Sequence, residues 1–275
     1  MQLEALFKQP QALPAVPKIV HELIDSFNSD DISIDEIAKK LAADPVLSAR
    51  LLRLANSAYY HVSRSIGTVN EALAMLGFVT VRTLVISSGL TGGYKSMPGM
   101  DLGRFWRYSL HTAAVAGWLA KKAGINGDQA FTVGLMHSIG ELVMHAGMPE
   151  QMLQLDKLAS PMDARRLDME RTSFGYTFAD VGAELARQWR FPIAFAEAIK
   201  HFPDPLGHEP FDPASAVLHL SAWRARAEHN GLTPEEMAST VPVAVLQKLG
   251  LNADAFLSDM PPLSELAEGL EAMLG

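Results

Sequence analysis

The 275-residue sequence predicts an all-α protein, and three observations carry that prediction. Helix-start signals recur along its length, period-two alternation is nearly absent, and the apolar residues after each start signal follow helical spacing. Two helical lobes are expected, an N-terminal bundle over residues 1–98 and a larger bundle with a tail helix over 99–275. The boundary rests on the one clear break in composition, SSGLTGGYKSMPGM from Ser87 to Met100, which is rich in Gly and Ser.

The elements follow in order. SIDE, Ser33 to Glu36, and TVNE, Thr68 to Glu71, fit the capping box, in which the hydroxyl accepts from the N3 amide and the carboxylate reaches back. In DPVLSARLLRLANSAYY, Asp44 is the cap and Pro45 takes the first helical position, where a missing N–H costs nothing. Phe78 to Ser87, FVTVRTLVIS, is the one segment that also reads as a strand; its closeness to the capped NEALAMLG favours a buried helix. Asp101 starts a helix reaching about Lys122, and Asn126 starts another, expected to run unbroken from about Asp128 to Gly147. Further starts stand at Thr177 and Thr233, and the tail SDMPPLSELAEGLEAMLG forms a short amphipathic helix that packs back or docks on a partner.

Composition removes several functions. With no cysteine, there can be no disulfide, thiolate metal site or cysteine nucleophile, so any metal must be held by His, Asp or Glu. A net charge of -8 argues against a broad phosphate-binding surface; Lys39, Lys40, Arg50 and Arg53 read as solvated helix faces before they read as a nucleic-acid patch. No run of about 18 uncharged apolar residues occurs, so no membrane span is expected. The start has no basic segment followed by an apolar one, which makes the cytoplasm the expected compartment.

The residues that could carry chemistry cluster in the second lobe. His111 lies in the helix after Asp101. Along the expected helix through Gly147, Phe131, Leu135, Ile139, Leu142 and Ala146 form one apolar face. His137, Glu141 and His145 lie at i, i+4 and i+8 on another, which is expected to be partly exposed, with Ser138 beside them. Trp106, Trp118, Trp189 and Trp223 read as packing residues, as does His219.

FWRYSLHTAAVAGWLAKKAGINGDQAFTVGLMHSIGELVM resembles the core of the HD superfamily, metal-dependent phosphohydrolases that hold their metal with a first His, a His-Asp pair and a late Asp. The first lobe, above all DPVLSARLLRLANSAYY, and the later GYTFADVGAELARQWRFPIAFAEAIKHFPDP resemble one branch of it, the HDOD (HD-related output domain) family. The likeness runs from about Leu13 to Trp223 and implies an HD-like helical second lobe. Position by position, His111 matches the first histidine and His137 the histidine of the pair. The paired aspartate is Ser138, and the lysine of the HDIGK form is Glu141. Phe178 stands where the family often has a histidine, the HHDP element appears as Phe202-Pro203-Asp204-Pro205 with His201 one place away, and the late aspartate falls on Ala222.

Those substitutions remove the anionic oxygens that hold a hard cation and activate its water. The resemblance therefore implies a non-catalytic signalling module, a pseudo-enzyme with no cofactor. Its remnant cleft between the lobes would comprise His111, His137, Ser138, Glu141, Phe178, His201 and Ala222. Two readings of the histidines stand side by side: core residues hydrogen-bonded to local acceptors, or a rebuilt metal site drawing on His111, His137, Glu141 and His145. The expected partner is a signalling protein supplied in trans (a kinase, receiver or cyclic-di-GMP protein), with a small ligand in the cleft. The alternative is a divergent metal-dependent phosphohydrolase acting on a nucleotide or cyclic dinucleotide.

Overall fold

The computed structural model describes residues 2–9, 11–13, 22–23, 34–60, 62–94, 96–189 and 191–270, and every regular element among them is helical. The chain forms two compact units. The larger joins Met1–Leu13 to Ser96–Leu266, and the smaller joins Pro14–Lys95 to Ala267–Gly275. A short first helix, α1 (Leu3–Leu6), belongs to the larger unit.

The smaller unit is built on α2 (Ile34–Ala42), α3 (Pro45–Ala55) and α4 (Val69–Gly93). Ser33, the expected cap of α2, lies outside the described residues. Asp44 caps α3 by accepting from the amides of Val46 and Leu47 at 2.8 and 3.0 Å, with Pro45 at the first position. Before α4, Thr68 accepts from the Glu71 amide at 3.2 Å, while the Glu71 carboxylate takes the Gly67 amide at 3.2 Å. The ambiguous segment from Phe78 is helical, but α4 is not straight. Gly77 adopts φ 75°, ψ 163°, a conformation open to glycine, and the two arms Val69–Phe78 and Thr80–Gly93 meet at 102°. No single described helix is long and apolar enough to cross a membrane; the two bent arms reach that length and composition only together.

In the larger unit Asp101 caps α5 (Leu102–Lys122) and Asn126 caps α6 (Gly127–Met136). The helix expected to continue to Gly147 instead breaks at His137 and Ser138, and α7 (Ile139–Gly147) starts anew. Ser138 has φ -104° and ψ 9°, outside the helical range. After α8 (Pro149–Asp156) and α9 (Arg166–Phe174), α10 (Phe178–Gln188) opens with a full capping box between Thr177 and Asp180. It lies so close to α7 that a Cβ on Gly140 would run into the Phe178 carbonyl oxygen and come within 2.8 Å of the Gly182 nitrogen. The break in the helix therefore redirects α7 into a backbone contact that glycine alone permits.

The remaining helices complete the unit. α11 (Ile193–His201) and α12 (Pro213–His229) follow, then α13 (Pro234–Thr240), α14 (Val243–Lys248), α15 (Ala253–Asp259) and α16 (Leu263–Leu266). Leu119 of α5, Leu220 and Trp223 of α12, Leu246 of α14 and Phe256 of α15 share one apolar core. Leu263 of α16 is buried, and α16 packs back on α5.

Candidate functional site

The junction between α6 and α7 places His137 and Ser138 at the centre of the larger unit, both buried. His137 donates from Nδ1 to the Gly134 carbonyl at 2.7 Å, while its Nε2 is buried without a partner among the described residues. Tyr108 and Phe202 meet the ring edge-on, with centroids 5.1 and 5.5 Å away. Burial holds this imidazole down to about 4, helped by the charge of Arg226, so it is neutral at pH 7. Ser138 spends its hydroxyl on Ser109, the two oxygens 3.2 Å apart.

Glu141 and His145 were expected on a partly exposed stripe, but both are about 1% exposed. Arg166 of α9 explains how two such residues can be buried. Its guanidinium donates to Glu141 at 3.2 Å, to Glu170 at 2.8 Å, and to Asp156 and the Ala159 carbonyl at 2.6 Å each. His145 donates from Nδ1 to the Glu141 carbonyl at 2.7 Å and from Nε2 to Asp156 at 2.9 Å. With both nitrogens facing acceptors, the ring is an imidazolium, and the Asp156 hydrogen bond raises its pKa against the effect of burial. Burial pushes Glu141 up, and burial with the neighbouring Glu141 pushes Glu170 up to about 8. The cluster thus keeps a proton that exposed carboxylates would release. Both Glu170 oxygens accept N–H donors, from Arg166 and from Phe178 at 2.7 Å, whereas the Glu141 Oε1 has no partner.

The other expected site residues are spread over the same unit. Ser138, Glu141 and Phe178 line one pocket of about 250 Å³, together with Tyr108, Phe202, Arg166 and Arg226. His111 stands apart beside His229, ring centroids 5.1 Å away. Ala222 contributes only its carbonyl, 3.5 Å from the Tyr108 hydroxyl. His201 stacks on His208 at 3.9 Å, and it is Phe202 that reaches the pocket. His219 donates to the Phe202 carbonyl at 2.8 Å, and Trp223 is core.

His111, His137, Glu141 and His145 therefore do not converge. Glu141 is bound to Arg166, His145 has both nitrogens engaged, and the His137 ring faces aromatic edges. Among the described residues no three His, Asp or Glu side chains are grouped to hold a metal ion, so this donor set does not fit the family's metal. Asp156, Arg166 and Glu170 escaped sequence reading because Arg166 and Glu170, four apart in DARRLDMERT, look like an ordinary solvated helix pair. Arg226 gave no signal either.

Comparison with known proteins agrees with this architecture. The HDOD domain model matches residues 13–205. A Shewanella amazonensis SB2B protein named as a candidate phosphohydrolase is 31% identical, with a TM-score of 0.79 and 98% of each chain covered. A Marinobacter aquaeolei VT8 protein named as a candidate signal transduction protein shares the fold at 20% identity and a TM-score of 0.72, over all of this chain and 60% of its own. A Treponema pallidum (strain Nichols) protein, named only as uncharacterized, is 26% identical over 232 residues. The match covers 82% of this chain and 44% of that relative. The helical fold, the length of the family match and the identity to the Shewanella protein together make this chain a member of the HDOD domain family.

Proposed function

We propose that the chain is a non-catalytic signal-transduction module that works by binding, with a signalling protein as partner and a small ligand as the means of modulating it. The arrangement of Ser138 and Glu141 carries this reading. Metal-assisted hydrolysis requires anionic oxygens around the cation, to hold it and to lower the pKa of its water. Beside His137 stands a neutral hydroxyl occupied by Ser109, and the nearby carboxyl group of Glu141 is held by Arg166. What remains is a shaped pocket, and the signal-transduction name of the Marinobacter relative is in keeping with a binding role.

The phosphohydrolase name of the Shewanella relative defines the competing reading. Elemental analysis of protein purified without chelator separates the two, alongside an assay for release of phosphate from nucleotides and cyclic dinucleotides. Metal well below one equivalent and no turnover are expected. Stoichiometric iron, manganese or zinc that disappears in His137→Ala would overturn the non-catalytic reading.

A further inference from the structure

The pocket beside the α6–α7 junction has a wall that mixes aromatic rings with charged side chains, Asp101, Asp163, Arg104 and Arg166 among them, and it holds two polar groups without a protein partner among the described residues. The first is the Glu141 Oε1, buried and without a partner on a side chain that is itself 2% exposed. A buried carboxyl oxygen left unpaired is destabilising, so the site gains by supplying it a hydrogen bond. The second is the Arg226 guanidinium, half-buried on α12, which has no hydrogen bond or ion pair among the described residues. Its field reaches Tyr108, His137 and His219, none of them an anion at pH 7. The carboxylate it also reaches, Asp163, is already engaged by the Arg165 side chain at 2.7 and 3.1 Å. Tyr108, Phe178 and Phe202 line the space with apolar ring surface.

We propose that this pocket binds a small planar aromatic oxyanion, its charge on Arg226, its ring against Tyr108, Phe178 and Phe202, and a hydroxyl or N–H group at its far end on the Glu141 Oε1. The proposal rests on the non-catalytic reading above and specifies the ligand class. Size sets the limit. A cavity of 150 Å³ accepts benzene, so about 250 Å³ encloses on the order of ten non-hydrogen atoms. A cyclic dinucleotide is several times too large to be enclosed. A phenolic hydroxyl suits Glu141 in either protonation state, because it can donate to a carboxylate or accept from an acid.

The test uses 4-hydroxybenzoate, benzoate and phenol as probes, titrated into full-length protein labelled with ¹³C at its methionine methyls. Met100 and Met162 line the pocket and report binding there, their signals assigned by Met→Leu substitution. 4-Hydroxybenzoate should bind about tenfold more tightly than either probe that lacks one of its two polar groups. Arg226→Met, which removes no existing partner, should reduce its affinity to that of phenol. Equal affinity for all three probes overturns the proposal, as does binding unchanged in Arg226→Met. So does an absence of any shift at Met100 and Met162, the result expected of a pocket that holds only water. That last outcome leaves the non-catalytic reading standing, because that reading is judged on metal content and turnover.

Discussion

His137 and His145 bracket one buried stretch of chain, and they are held in opposite charge states. Both are shielded from solvent to within about 1%. His137 has one carbonyl acceptor and aromatic edges around it, and burial keeps it neutral down to about 4. His145 has an acceptor on each nitrogen and a carboxylate among them, and it keeps its proton. Equal burial thus gives unequal chemistry, because the charge state is set by what replaces the lost water. The same contrast divides the site into an ionic half, closed around Arg166, and an aromatic half, open to the pocket.

The ionic half depends most on its cation. Arg166→Met leaves Glu141, Asp156 and Glu170 buried without their shared guanidinium and should cost about 3–5 kcal/mol in urea unfolding at pH 7. A loss below about 1 kcal/mol would mean that the ionic half is not what holds α7, α8 and α9 together.

The two histidines then predict pH dependences of opposite sign. For His137 the folded pKa lies below the unfolded value near 6.5, so the folded state binds fewer protons. Its contribution is intact above about 6.5 and is lost as pH falls toward about 4. His137→Phe should therefore remove up to about 3 kcal/mol of the stability that wild type loses over that interval, read from urea midpoints at successive pH values. An unchanged acid limb would place the wild-type loss in the carboxylates alone. For His145 the folded pKa is raised, so its contribution is full below the unfolded value and fades as pH rises through the folded one. His145→Gln should cost about 1.5–2 kcal/mol at pH 6, with the gap from wild type closing in alkaline solution. A gap that widens with pH would contradict an imidazolium at this position.

The parts of the fold legible in the sequence were those governed by neighbours along the chain. Asp44, Asp101, Asn126, Thr177 and Thr233 cap their helices as expected, because a cap is a short-range exchange between one side chain and amides two or three residues on. The break at Ser138 was hidden, since no proline or strong local signal interrupts an otherwise helical pattern. What it accomplishes is a long-range contact, Gly140 of α7 against α10, a segment some forty residues later in the chain. In the candidate site the resemblance of His111, His137, Ser138, Phe178 and Ala222 to a known pattern is a property of the sequence alone. The role of Glu141 is not, because its neutraliser, Arg166, comes from another helix. A charged stripe looks like a wet surface until its counter-ion is found.

At Gly140 the α7 backbone meets the Phe178 carbonyl and the Gly182 nitrogen of α10 with no side chain between, so main chain sets the spacing of Ser138 and Phe178, both of which line the pocket. Side chains on this mould can be exchanged while its outline stays the same. A lineage of such proteins could change what the hollow accepts, one residue at a time, without renegotiating how the helices meet.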